Sequence, residues 1–222
     1  MIPVVDYRKL RLRNLNSTEF KHLKLLLYWP IYGLLFLFVE RLYPVQNYFV
    51  MHCSWDDKIP FCEFFVIPYL FWFVYLIGMH LYTLLYDIDA FKKMMKFIIL
   101  TYSVTIVIYL LFPTCQELRP LQFERDNFLT RFIGGFYQFD TNTNVCPSIH
   151  VIGTLAVLFT GFHCKGLKGI GWRTVFVVTT VLICASTVFL KQHSVLDVFA
   201  ALPICLIAYF ICFVPRRQTV WQ

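Results

Sequence analysis

His193 and Asp197 stand four residues apart, a spacing that puts both side chains on one face of a helix. A carboxylate in that position can hold one imidazole nitrogen and fix the tautomer, leaving the other nitrogen free as a nucleophile or base. A second imidazole, His150, follows Ser148 by two residues in the stretch CPSIHVIG, where Pro147 and Ser148 suit a helix start. Helix starts favour anions, because their first N–H groups are unpaired and carry the positive end of the dipole. Lys191 and Arg119 add cations near these groups. Two histidines, a carboxylate, a hydroxyl and two cations are the parts needed for phosphoryl transfer. The cations, Ser148 and helix N–H groups would neutralise phosphate oxygens. His193, held by Asp197, would attack phosphorus to give a phosphohistidine, and His150 would protonate the leaving alkoxide and later deprotonate the incoming water or alcohol. Each part also has a structural reading: an ion pair for His193 and Asp197, an N-cap for Ser148, an interfacial anchor for Lys191 or Arg119.

The elements that would carry them are apolar. The chain has 222 residues, 59% of them hydrophobic and 19% aromatic, with positive mean hydropathy, well outside the range of a soluble domain. A hydrocarbon core about 30 Å thick needs roughly 20 helical residues. Six apolar windows emerge: Leu25 to Leu42, Pro60 to Tyr86, Phe97 to Phe112, Ser148 to Phe162, Trp172 to Leu190 and Ser194 to Val214. The expected fold is an all-α integral membrane protein, a bundle of six transmembrane helices forming one domain over residues 1–222, with a polar N-terminal segment over 1–24. No small-residue cleavage site follows the first apolar run, so it reads as a retained span.

Lysine and arginine favour the cytoplasmic side of short loops. With both termini inside, fourteen of the twenty lysines and arginines fall on that side: those between Arg8 and Lys24, then Lys92, Lys93, Lys96, Lys165, Lys168, Arg173, Arg216 and Arg217. His150, the Lys191–Asp197 stretch and Arg119 then share the external face, delivered by three different connections. The longest of these, over 113–147, is expected to contribute to the active site. Its centre, FLTRFIGGFYQF, has helical apolar spacing as far as Gly134 and Gly135 and reads as a short interfacial helix. Glu63 is the other acid at membrane depth, either reaching the interface or supporting the site. The dispersed basic residues give a nucleic-acid partner no support. None of the eight cysteines forms a C-x-x-C pair; Cys53, Cys62, Cys115 and Cys146 fall on the external side, where Cys115 and Cys146 could close the long connection by a disulfide.

CPSIH and STVFLKQHSVLD together resemble the type-2 phosphatidic acid phosphatase superfamily. That family carries a P-S-x-H type motif, then S-R-x5-H-x3-D, preceded by K-x6-R-P. Pro147, Ser148 and His150 match the middle motif; Ser186, His193 and Asp197 match the last; Arg119 and Pro120 match the end of the first. Phe112 stands where the pattern has lysine and Thr187 where it has arginine, and Lys191 is the candidate to restore one cation. This relaxed pattern is more similar to the inositol phosphorylceramide and sphingomyelin synthase branch, whose members transfer a headgroup phosphate to another alcohol. The resemblance implies a six-span membrane enzyme acting on a lipid phosphate or diphosphate, with no cofactor. A metal site built from His150, His193, Asp197 and Glu117 is the weaker alternative, because an acid at i+4 is better explained as an orienting group. A carrier or a non-catalytic lipid-binding protein using Glu63 and Asp197 is the alternative from a different class. Short loops and the absence of retention signals point to a bacterial plasma membrane.

Overall fold

The computed structural model describes residues 3–214. Arg216 and Arg217, which the charge argument uses, lie outside the described residues. Helices dominate, because long runs of apolar residues satisfy their backbone polar groups only by intrahelical hydrogen bonds when water is excluded. The first rod runs from Lys21 to Leu42. It is 3-10 helical over Lys21–Leu27, α-helical over Tyr28–Leu37 (α1), and closes in a π turn over Phe38–Leu42. A five-residue helix, Ser54–Lys58 (α2), precedes Val66–Tyr86 (α3), and Ile88–Leu111 (α4) follows at once. Phe128–Phe139 (α5) lies within the long connection, and Ile149–His163 (α6), Ile170–Phe189 (α7) and Val195–Cys212 (α8) complete the bundle.

Five of these segments are long and apolar enough to cross a membrane: Lys21–Leu42, Glu63–Tyr86, Ile88–Leu111, Ile170–Phe189 and Val195–Cys212. The fourth apolar window differs from the other expected spans. α6 has 15 residues, about 22 Å of helix at 1.5 Å per residue. It forms the centre of the bundle, packed against α3, α4, α7 and α8. Val151, Ile152, Ala156 and Val157 are fully enclosed. Small residues make this possible: a Cβ on Gly153 would sit 2.7 Å from the Tyr102 hydroxyl, and one on Gly161 2.5 Å from the Phe176 ring. Apolar periodicity cannot separate a helix facing lipid from one enclosed by other helices.

Two boundaries also differ from the sequence reading. α4 begins at Ile88 rather than near Phe97, because the Asp87 side chain caps it by accepting from Ala90 N at 3.1 Å, and the charged turn containing Lys92, Lys93 and Lys96 is helical. α5 continues through Gly134 and Gly135 to Phe139. Its start is fixed by reciprocal bonds between Asn127 and Thr130, and Ile133, Phe136 and Tyr137 pack with Val66, Tyr69 and Leu190, which outweighs a glycine cost of about 1 kcal/mol each.

At the site end, the connections are knitted into a two-stranded parallel ribbon, Phe49–Val50 (β1) with Thr114–Cys115 (β2), Phe49 opposite Thr114. An antiparallel bridge from Cys115 to Thr143 ties the far end of the same long connection to this ribbon. Cys53, Cys62, Cys115 and Cys146 are all free thiols, so the Cys115–Cys146 bridge allowed by the sequence is not formed. The backbone ladder does the tying instead. At the opposite, lysine-rich end, the N-terminal segment docks through Val4 N on Leu85 O at 2.8 Å and Tyr7 Oη on Leu84 O at 2.7 Å.

Candidate active site

The turn between α7 and α8 builds the His–Asp pair. α7 ends where the Thr187 carbonyl accepts from both Gln192 N and His193 N, each at 3.0 Å. Lys191 takes the left-handed backbone, φ 52°, that reverses the chain. Ser194 then caps α8, and Asp197 Oδ2 accepts from Ser194 N at 3.0 Å in a reciprocal capping box. The same oxygen receives His193 Nδ1 at 3.1 Å. In the neutral ring, the proton therefore resides on Nδ1 and the lone pair on Nε2. Asp197 and Ser194 are fully buried. The Asp197 carbonyl accepts from Ser148 N at 3.1 Å, which joins the start of α6 to the first turn of α8.

His150 enters from α6. Its ring lies between Tyr69 and Trp72, each centroid 4.5 Å away, and 5.7 Å from the His193 ring at an interplanar angle of 65°. The two imidazoles thus face one cavity of about 50 Å³, whose walls include Tyr69, Tyr109, Asp140, Asn144 and Gln192. That volume suits a few waters or one small polar group. Three buried polar atoms on its lining residues lack hydrogen-bond partners: His150 Nδ1, Gln192 Nε2 and Asn144 Oδ1. Orphaned groups converging on one cavity are expected where a ligand or ordered water completes the network.

The other residues singled out from the sequence divide. Ser148 is fully buried and caps α6, its Oγ 3.5 Å from Val151 N, and it does not line the cavity. Arg119 is beside the site but occupied. Its guanidinium donates to the carbonyls of Tyr137 (3.0 Å), Asp140 (2.9 Å) and Thr141 (2.8 Å) and to Gln192 Oε1 (2.5 Å), and lies 4.6 Å from the Tyr137 ring centroid. Burial lowers its pKa, with Asp140 and Tyr137 opposing. Lys191 points elsewhere: its Nζ donates to the carbonyls of Asp56 at 2.6 Å and Ile59 at 2.5 Å. Burial pushes its ammonium pKa down, while Asp56 and Asp57 pull it up. Neither sequence-selected cation reaches the cavity as a free side chain. Two connections leave carbonyls unpaired near these cations, and each cation satisfies two or three of them.

Several supporting residues carry no sequence motif. Asp56 of α2 is 1% exposed and accepts from Ser194 Oγ at 2.6 Å, Val195 N at 2.8 Å and Cys53 N at 2.8 Å, so a residue 137 positions before His193 anchors the turn that carries it. Burial opposes its charge, but these hydrogen bonds outweigh burial and hold its carboxyl below the ordinary 3.8. Glu40, in the π turn, accepts from Thr141, Thr143 and Asn144, fixing the cavity wall. Asp140 lines the cavity, and burial raises its carboxyl pKa against the pull of Arg119 and His193. Glu63 is buried and accepts from Asn127 Nδ2 at 3.1 Å and Arg125 at 3.4 Å; it holds the start of α5 and does not line the cavity. A polar residue just outside or inside an apolar span was the available signal for Asp56 and Glu40. No family model, curated protein or solved structure matches the chain.

Proposed function

We propose that the chain is a membrane phosphatase or phosphotransferase that cleaves a lipid phosphate or diphosphate ester through a phosphohistidine on His193. The observation that carries this reading is the pair of imidazoles 5.7 Å apart across one cavity, with Asp197 occupying Nδ1 of only one of them. In the first step, the Nε2 lone pair of His193 forms a bond to phosphorus, the ester P–O bond breaks with its electron pair on the leaving oxygen, and His150 supplies the proton. In the second, His150 takes the proton from water or an alcohol whose oxygen attacks phosphorus, and the P–N bond breaks to restore neutral His193. Asp197 supports the positive charge on His193 while the intermediate lasts. The first-turn N–H groups of α6 and the Gln192 amide are the donors available to phosphate oxygens, and Arg119 contributes its charge from behind Gln192.

The accompanying topology has six helices crossing or entering the membrane, both termini cytoplasmic, and the cavity at the extracytoplasmic face of a plasma membrane. A lipid phosphate would rest at that interface with its chains in the bilayer. The resemblance to the type-2 phosphatidic acid phosphatase superfamily, nearer its phosphorylceramide synthase branch, supports the same chemistry, with an alcohol acceptor replacing water in a synthase. A second reading, lipid binding without turnover, is favoured by one observation: the side-chain donors of Lys191 and most of those of Arg119 are spent on protein acceptors.

The test is a panel of phosphate-labelled lipid monoesters and diphosphates offered to the purified full chain in detergent. Expected are phosphate release or transfer, loss of both in His193→Ala and in His150→Ala, and acid-labile label on His193 when the native chain is quenched during turnover. No turnover across the panel, with no label on histidine, would favour the binding reading.

A further inference from the structure

At the end of the bundle opposite the histidines lies a second polar cavity, of about 370 Å³. Its walls are the first turns of α4, the end of α6 and the turn that follows, and its ionisable lining is Lys92, Lys93, Lys96, Lys165 and His163 with Asp87 and Asp89. A preference for positive loops on the cytoplasmic side would explain why lysines lie at this end. It does not explain why four of them, from two separate connections, border one concavity.

The two acids are already engaged. Asp87 accepts from Ala90 N at 3.1 Å and Lys165 N at 2.9 Å, which caps α4 and draws the 165 turn onto it. Asp89 pairs with Lys92 at 3.8 Å. Lys93, Lys96 and Lys165 have no carboxylate partner within ion-pair distance among the described residues. His163 donates Nδ1–H to the Phe159 carbonyl at 2.8 Å, leaving Nε2 outside that helical bond. The dipole of the 24-residue helix α4 has its positive end here as well. Three unpaired ammonium groups around a cavity at a helix start form an anion site of higher charge than a single carboxylate requires.

We propose that this cavity binds a phosphorylated anion of at least two negative charges, distinct from whatever occupies the histidine cavity. Lys93, Lys96 and Lys165 contact its oxygens, and Asp87 keeps the two connections together. The position at the end of apolar helices admits two sources of the same chemistry: the headgroup of an anionic lipid in the adjoining leaflet, or a soluble phosphate compound.

The experiment uses the full chain in nanodiscs of phosphatidylcholine. One arm adds a short-chain phosphatidylinositol phosphate with a fluorescent label; the other adds inorganic pyrophosphate and reads thermal stabilisation. Binding should weaken with salt. It should also weaken about fivefold per lysine removed, the scale of one basic residue at an anionic interface. The compared variants are Lys93→Gln/Lys96→Gln and Lys93→Arg/Lys96→Arg; the second keeps charge and topology. Saturable binding of the lipid alone identifies a headgroup site, and of pyrophosphate alone a soluble-anion site; both outcomes support the proposal if the Gln pair loses affinity and the Arg pair retains it. Binding of neither probe, or equal affinity in the Gln pair, overturns it. His193→Ala should bind whichever probe the native chain binds at this site, with the same affinity, which separates this result from that of the proposed catalysis.

Discussion

Asp56→Ala should unfold the site end of the bundle at lower denaturant while leaving the lysine-rich end packed. The carboxylate collects three donors: Ser194 Oγ, Val195 N and Cys53 N. Cys53 is half-buried and can regain water, whereas Ser194 and Val195 are buried and cannot. Two orphaned buried donors at about 1–3 kcal/mol each, together with weakened support for the start of α8 on the order of 1 kcal/mol, give a loss of about 3–7 kcal/mol. Asp56→Asn retains one acceptor oxygen and should lose roughly half of that. The pH dependence has a definite sign. Because hydrogen bonds hold the Asp56 carboxyl below 3.8, its contribution is complete above that value and disappears as pH falls through the lower folded-state value. The Asn variant should therefore lack part of the native acid-induced loss below 3.8. Equilibrium unfolding in mixed micelles, read by helicity at several pH values, measures both effects. A change in Asp56→Ala below about 1 kcal/mol, with an unaltered acid limb, would refute the assignment of Asp56 as the anchor of the α7–α8 turn.

Asp197→Asn should preserve the fold through the remaining contacts of α8 yet reduce turnover of a lipid phosphate by about 10²–10⁴-fold, since an amide no longer fixes the His193 tautomer; single-turnover labelling separates this from weaker binding. Lys191→Met should cost stability, about 3–6 kcal/mol for two bonds from a charged donor, without raising KM by the factor expected of a phosphate ligand; a large KM change with normal stability would place its side chain in the site instead. Asp140→Asn should stabilise the protein at pH 7, because a carboxyl whose folded-state pKa is raised disfavours the folded state as pH climbs above the ordinary 3.8, and the gain should vanish in acid. Gly161→Ala should destabilise by about 1–3 kcal/mol in a thermal melt, since the new Cβ would lie 2.5 Å from the Phe176 ring.

Local signals in the sequence carried far where the physics is local. Ser148 and Ser194 announce the starts of α6 and α8, whereas the expected shared helix face of His193 and Asp197 is not what joins them: His193 precedes the Ser194 cap, and the turn folds its ring onto the first-turn carboxylate of α8. The apolar windows find α1, α3, α4, α6, α7 and α8, though they miss the short polar α2, the charged first turns of α4 and the brevity of α6. Window length does not separate the two, since the Phe97–Phe112 window is nearly as short as that of α6 yet belongs to the 24-residue α4. The partners of Arg119 and Lys191 follow a different logic. Both had the residue type and loop position of phosphate ligands, yet both are drawn to backbone carbonyls that strands and helices leave unpaired.

Composition, hydrophobic period and helix caps therefore settled that this is a helical, membrane-suited chain and put the catalytic candidates His150, His193 and Asp197 at one end of it. Those properties arise from residues within a turn or two of one another, and each segment carries them whatever surrounds it. Tertiary structure decided the rest: that the rings of His150 and His193 share a cavity, that Asp56 and Glu40 brace its walls, and that two prominent cations serve the scaffold. Such outcomes depend on which donors and acceptors remain unpaired when distant connections meet, and no short-range pattern encodes that remainder.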